Sequence, residues 1–217
     1  FHGSEYINEY FRSRQFISGF TGSAGTLVVC EDSAYLWTDG RYFLQASLQL
    51  KGSGIELMKT GEPGVPAIDE FLEKNLKQGD VLAFDGRVLA CRIGDKYKQI
   101  ADKCGAITKF DIDLPGLVWT ERPKLLGNSI WALPETSYGE TFEEKLARVR
   151  DAMKKSSVNY HLITGLEENA WLYNLRGSDV DRSPIFFSFT LITSDSIRLY
   201  KFGDDFDDLL KEKGVTV

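Results

Sequence analysis

The sequence predicts an α/β protein made of two related domains with mixed sheets, and three observations carry that expectation. Short β-branched or apolar runs alternate with amphipathic stretches along the chain, the pattern of strands interleaved with helices. One unit recurs: residues 26–37 read TLVVCEDSAYLW and residues 190–200 read TLITSDSIRLY, and each is followed by a glycine turn at Gly40 or Gly203. Between the two copies, from Leu114 to Gly139, prolines and glycines accumulate and periodicity fades, as in a linker. The expected division is therefore 1–122 and 123–217.

Residues 4–18 alternate charged and aromatic positions and predict a helix with Ser4 as N-cap. Residues 26–30 and 34–37 predict a hairpin turning at Glu31-Asp32-Ser33. Tyr42, Phe43, Ala46 and Leu50 give residues 40–50 a helical period, ended by Gly52-Ser53-Gly54. A strand is expected over 55–58, then a helix from Pro66 to about Leu76, with acidic Asp69 and Glu70 in its first turn and Gly79 closing it. A strand over 81–84 precedes a helix over 90–104 that places Ile93, Tyr97, Ile100 and Cys104 on one face, and a strand over 107–110 follows.

Beyond the linker, Thr141 and Glu144 form a capping box ahead of a helix whose stripe is Phe142, Leu146, Val149 and Met153. A strand over 160–163 and a helix over 167–175 stopped by Gly177 come next. A hairpin over 186–193 and 197–200 and an acidic helix reaching Lys213 complete the reading.

Bulk properties exclude several classes. Among the 217 residues, 26 are basic and 32 acidic, and the net charge of −6 with no basic stripe argues against nucleic acid as a partner. The apolar runs are too short and interrupted to span a bilayer, so no membrane partner is expected. Cys30, Cys91 and Cys104 form no CxxC pair, and this odd, sparse set suits free thiols in a reducing compartment, hence the cytoplasm.

Most candidate chemistry dissolves on inspection. Gly19, Gly22 and Gly25 precede a strand, whereas a phosphate loop follows one and opens a helix; a tight entry into a sheet fits better. Ser23 has Thr21 two residues before it, so it is no nucleophile elbow. The two histidines, His2 and His161, are too far apart in the chain and too few for a metal centre. The run Asp204, Asp205, Asp207 and Asp208 reads as a solvated helix N-terminus. Two arginine segments remain. In Asp39-Gly40-Arg41-Tyr42 the arginine either locks the turn through Asp39 or offers its guanidinium to a ligand carboxylate or carbonyl; spacing alone favours the lock. In Asn174-Leu175-Arg176-Gly177-Ser178-Asp179-Val180, Arg176 and Asp179 either pair or line a cleft.

Four motifs in order then become informative together: Ser4-Glu5-Tyr6-Ile7, Gly19-Phe20-Thr21-Gly22-Ser23-Ala24-Gly25-Thr26, Leu36-Trp37-Thr38-Asp39-Gly40-Arg41-Tyr42-Phe43, and Ala170-Trp171-Leu172-Tyr173-Asn174-Leu175-Arg176-Gly177-Ser178-Asp179-Val180, with Pro184-Ile185-Phe186-Phe187-Ser188 in support. Over essentially the whole chain they resemble the N-terminal part of Xaa-Pro aminopeptidases of the three-domain cytosolic type. The resemblance implies two tandem creatinase-type domains of ribonuclease-H-like topology, with a further strand before the Ser-Glu-Tyr motif and further elements of the second domain after Val217.

It also implies a separate C-terminal catalytic domain holding two divalent metal ions, manganese being the expected metal, with no cofactor in this part of the protein. The implied reaction is removal of the residue that precedes a proline, on peptides with proline in second position. A homodimeric full-length enzyme is implied too. The Arg of the Asp-Gly-Arg-Tyr motif binds substrate in that family, which implies that role for Arg41, with Asp39, Arg176 and Asp179 as cleft-lining candidates. The rival expectation is a creatinase-like module that binds peptides or proteins without catalysis.

Overall fold

The computed structural model describes residues 6–125 and 127–217. The chain falls into two units, Tyr10–Pro123 and Lys124–Val217, the second including the described residues before Tyr10.

A 3-10 turn (Glu9–Phe11) leads into α1 (Ser13–Ser18) of the first unit. The single helix expected over 4–18 is thus corrected to a turn and a short helix, and its Ser4 cap lies outside the described residues. Two contacts explain the break. The Tyr10 carbonyl accepts from Arg122 Nε at 2.7 Å, which draws it from a helical ladder. Tyr10 and Phe11 meet edge to face at 4.9 Å, although successive side chains of an α-helix face apart.

Strands β1 (Thr26–Val29) and β2 (Ala34–Thr38) form the expected antiparallel hairpin, Thr26 opposite Trp37. A 3-10 turn (Gly40–Tyr42), α2 (Phe43–Gln49) and β3 (Ile55–Lys59) follow, and β3 pairs parallel with β2. Alternation along β2 sends neighbours to opposite faces. Leu36 joins Phe20, Ala46 and Leu50 on one side. Trp37 joins Met58 and Phe71 on the other. The sheet is therefore covered by α2 on one face and by α3 (Ile68–Asn75) on the other. The Trp37 indole N–H donates to the Pro66 carbonyl at 2.8 Å, which satisfies a polar group carried into the core.

Strands β4 (Val81–Ala83) and β5 (Ile107–Lys109) pair in parallel around α4 (Cys91–Cys104), as a crossover connection requires. Ile100 is buried, and Ile93, Tyr97 and Cys104 are half-buried on the same face. The region read as linker holds a helix and a strand that composition concealed. In α5 (Leu114–Val118), Asp113 caps the Gly116 amide at 2.9 Å and Pro115 occupies the first turn, where its missing N–H costs nothing. Strand β6 (Ile130–Ala132) belongs to the second unit.

There, α6 (Phe142–Lys155) begins with the expected capping box, buries Phe142, Leu146 and Met153, and half-buries Val149. Strand β7 (Tyr160–Ile163) and α7 (Leu166–Tyr173) follow. The helix expected to reach residue 175 ends at Asn174, whose φ of 53° is left-handed. Gly177 is accordingly not its terminator: it lies in β8 (Leu175–Gly177), which pairs antiparallel with β6. A Cβ on Gly177 would stand 2.6 Å from Phe186 Cβ, so the glycine answers to packing.

Strands β9 (Ser188–Thr193) and β10 (Ile197–Lys201) form the second expected hairpin, with β7 antiparallel on the far side of β9. Helix α8 (Asp207–Glu212) then returns the chain to Thr216, which bridges Arg198 in parallel; the Leu199 amide donates to the Thr216 carbonyl at 2.8 Å. The repeat is thus longer than the sequence echo. In both units a hairpin is followed by a helix and then by parallel pairing onto the hairpin's second arm.

Candidate functional site

The site around Arg41 starts with the glycine-rich segment. Gly19 ends α1 at φ 70°. At Gly22 a Cβ would lie 2.3 Å from Phe20 Cζ, and at Gly25 it would lie 2.9 Å from the Trp37 carbonyl. The spacing therefore lets the loop fold over the fully buried Phe20 ring and enter β1, a sheet entry and not a phosphate cradle. Arg14 fastens it, donating Nη1 to the Gly25 carbonyl at 2.5 Å and Nη2 to the Gly22 carbonyl. Thr38 Oγ1 donates to the Ala24 carbonyl at 2.7 Å, tying the same loop to the end of β2.

That end is where Asp39 and Arg41 stand. Asp39 is extended, and its Oδ1 accepts the Arg41 amide at 3.1 Å, capping the 3-10 turn. Arg41 Nε donates to the same Oδ1 at 2.9 Å and Nη2 to Oδ2 at 2.8 Å. Gly40 is not what aims the arginine: its φ is not positive, and a Cβ there would meet nothing nearer than 3.9 Å. The Asp39 carboxylate sets the turn.

The Arg41 side chain is 67% exposed, and its Nη1 and one N–H of Nη2 have no acceptor among the described residues. Hydrogen bonds from Arg41 hold the Asp39 carboxyl below its usual range, and the same bonds raise the guanidinium further above neutrality. The guanidinium lies 5.2 Å from the centre of the Tyr42 ring. Tyr42 in turn hydrogen-bonds Ser23 at 2.6 Å and meets Phe20 edge-on at 5.9 Å. Ser23 and Tyr42 carry no signal in the sequence beyond their motif; their partnership needs the fold.

Arg176 and Asp179 are not brought together. Arg176 is half-buried in β8 and donates Nη1 to the carbonyls of Ala170 and Leu175 at 3.0 and 2.9 Å. Asp179 is only 3% exposed; Oδ1 accepts the Asn128 amide at 2.5 Å and Oδ2 the Phe187 amide at 2.7 Å. Burial pushes its carboxyl above the usual range, against the pull of those amides. Of the two alternatives, pairing is thus corrected: Asp179 braces loops within its unit, and Arg176 ties α7 to β8.

Two features went unread in the sequence. Asp85-Gly86-Arg87 follows β4 as Asp39-Gly40-Arg41 follows β2, and it repeats every internal bond of that turn. The second apolar run before an Asp-Gly-Arg could have revealed it. Lys145 is buried on α6, donating Nζ to the Trp171 carbonyl at 2.7 Å and to Asn174 Oδ1 at 2.5 Å. It thereby secures the left-handed turn that ends α7. Its place on the apolar face of α6, one residue before Leu146, was the available signal.

Other candidates resolve simply. His161 is exposed on β7, and His2 lies outside the described residues. Asp207 pairs with the buried Lys201 at 2.7 Å, and Asp205 accepts the Ile130 amide at 3.2 Å, so the acidic run is partly structural. Among the described residues no group of three or more His, Cys, Asp or Glu side chains could hold a metal ion, and no helix is long and apolar enough to cross a membrane. Two divalent metals therefore do not fit the described residues of this chain. Cys30 and Cys91 are exposed free thiols, and Cys104 is half-buried.

Comparison with known proteins adds the wider context. A probable Xaa-Pro aminopeptidase P of Laccaria bicolor is 40% identical over 209 residues, covering 95% of this chain and 32% of that protein. The Xaa-Pro aminopeptidase ApepP of Drosophila melanogaster is 36% identical over 225 residues, covering 100% and 36%. The chain spans about a third of the length of these curated relatives. The crystal structure of X-prolyl aminopeptidase from Caenorhabditis elegans, described as a cytosolic enzyme with a di-nuclear active site, matches with a TM-score of 0.90 at 30% identity, covering 98% of this chain and 35% of that one. Residues 9–121 and 121–217 match two models of the creatinase/prolidase N-terminal domain. With both halves matched and the hairpin–helix–strand unit present in each, the chain belongs to the creatinase/prolidase N-terminal domain family.

Proposed function

We propose that this chain is the N-terminal, non-catalytic part of a metal-dependent aminopeptidase that removes the residue preceding proline, and that Arg41 binds the substrate peptide. Domain I is residues 1–122 and domain II residues 123–217; together they shape the substrate cleft. The two divalent metals, manganese being our choice, belong to a separate catalytic domain. We place the enzyme in the cytoplasm, as a homodimer acting on peptides with proline in second position. The likeness to the Caenorhabditis elegans enzyme supports this reading of the whole.

The observation that carries the role of Arg41 is its exposed, permanently charged guanidinium with outward donors left open. Such a group can give two aligned hydrogen bonds to a peptide oxygen, which a lysine ammonium cannot match in geometry. An exposed ion pair adds little to stability. Arg41→Ala in the full-length enzyme therefore leaves Tm nearly unchanged and lowers kcat/KM about ten- to a hundredfold. Arg41→Lys recovers part of that. Asp39→Ala, which removes the cap of the turn, lowers Tm more than Arg41→Ala does. Normal kinetics in a folded Arg41→Ala enzyme would show that the arginine is only a strut for Asp39.

A further inference from the structure

We propose that Tyr42 is a positioning residue for Arg41, the platform on which the guanidinium rests while it engages a substrate oxygen. This rests on the substrate role of Arg41 and extends it to a second side chain. Asp39 alone cannot perform the task. It holds Nε and one N–H of Nη2, all on one edge, and gives no second support to the opposite edge, where Nη1 and the other Nη2 N–H face a substrate oxygen. A guanidinium held by one edge in open solvent is free to swing.

The Tyr42 ring removes that freedom from a second direction. Its centre lies 5.2 Å from Arg41 Cζ, within the range of cation–π attraction. The attraction acts on the ring face and uses none of the guanidinium N–H donors, so it persists when those donors turn to a ligand. The ring is itself immobilised at both ends. It meets the fully buried Phe20 ring in a T-shaped contact, and its hydroxyl is 2.6 Å from Ser23 Oγ on the glycine loop. Gly22 and Gly25 let that loop approach, so the glycine motif and the Asp-Gly-Arg-Tyr motif meet at one ring. Preorganisation of this kind reduces the ordering cost of binding.

The test is a kinetic double-mutant cycle in the full-length enzyme on a Xaa-Pro peptide, with Tm measured for every variant. Tyr42→Leu keeps apolar contact with Phe20 and removes the aromatic face; it raises KM about tenfold with kcat little changed, the same split as Arg41→Ala. Tyr42→Phe keeps the face and loses only the hydroxyl, so it retains activity within about threefold, as does Ser23→Ala. In the Arg41→Ala background, Tyr42→Leu adds less than about twofold, because the residue it positions is gone. Losses that multiply in the double variant overturn this inference and leave the role of Arg41 standing. A Tyr42→Phe enzyme as impaired as Tyr42→Leu, at equal Tm, overturns it too. Unchanged kinetics in Arg41→Ala overturns the role of Arg41 and this inference with it.

Discussion

Replacing Gly22 by alanine tests the packing that brings the glycine loop to the Arg41 site. A Cβ at Gly22 would stand 2.3 Å from Phe20 Cζ and 2.9 Å from both Cε atoms. The ring cannot retreat, because Phe20, Leu36 and Ala46 are fully buried and Leu50 nearly so. Overpacking of this kind costs about 1–3 kcal/mol. The stiffer unfolded chain of an alanine variant returns about 0.4–1 kcal/mol. The net loss is about 1–2 kcal/mol, a midpoint fall of roughly 5–10 °C for a unit of this size. Three variants isolate the cause by urea titration under circular dichroism. Phe20→Leu lacks the ring tip that the new methyl meets and loses packing of its own. Combined with Gly22→Ala it is more stable than the sum of the single losses predicts, because the methyl occupies the vacated space. Gly19→Ala is the control: nothing lies within 4 Å of its Cβ, and its cost of about 1 kcal/mol comes from φ 70°, so trimming Phe20 leaves that cost untouched. Wild-type stability in Gly22→Ala, or strict additivity in the double variant, would refute the argument.

Two further outcomes follow from charged groups. The Glu144 carboxyl is held below its usual range, first by the Thr141 amide and then by the Thr141 hydroxyl. Its contribution to α6 is present above the unfolded carboxyl value and is lost as pH falls through the lower folded one, so the Tm gap between wild type and Glu144→Gln closes below about pH 4. At Asp85, burial pushes the carboxyl up and the hydrogen bonds from Arg87 more than reverse it. Arg87→Ala leaves that carboxylate, 11% exposed, without its guanidinium, and destabilises the first unit by about 1 kcal/mol after allowance for the exposure of Arg87; the midpoint in urea checks it.

The elements legible in the sequence were those set by local rules. The Thr141–Glu144 box fixed the start of α6, and Gly105, at φ 70°, ends α4 where the period ends. The two hairpins were legible because alternation and turn residues coincide there. Strand β8 was not, because its partner β6 lies in a proline-rich stretch and is 45 residues away in sequence, Ile130 opposite Gly177 at one end and Ala132 opposite Leu175 at the other. Periodicity carries no information about such pairing, and the apolar content of Trp171 to Leu175 suited a helix equally well. At the site, residue types and the turn were readable, and so was the Asp39–Arg41 lock. The roles of Arg176 and Asp179 were not, because both bond to backbone groups that only the fold brings within reach.

The paired Asp-Gly-Arg turns show why a motif alone does not assign a binding residue. Asp85–Arg87 and Asp39–Arg41 share the same three bonds: amide to Oδ1, Nε to Oδ1 and Nη2 to Oδ2. Ending a strand and starting a turn is sufficient reason for this arrangement, since the carboxylate caps the amide and the arginine neutralises the carboxylate. The surroundings separate the two. Arg87 Nη2 also donates to Asp113 Oδ2 at 2.9 Å, and Asp113 is shared with the nearly buried Arg122, so Arg87 is a member of a closed network of charges. Arg41 has a single carboxylate partner among the described residues, an aromatic face beside it in place of a second one, and donors that point away from both. A guanidinium already shared between two carboxylates has less to gain from a ligand oxygen. A guanidinium oriented on two sides and unsatisfied on the third gains from any peptide oxygen that reaches it, and this difference in local bonding supports the proposed recognition role of Arg41 and sets Arg87 in the framework of the first unit.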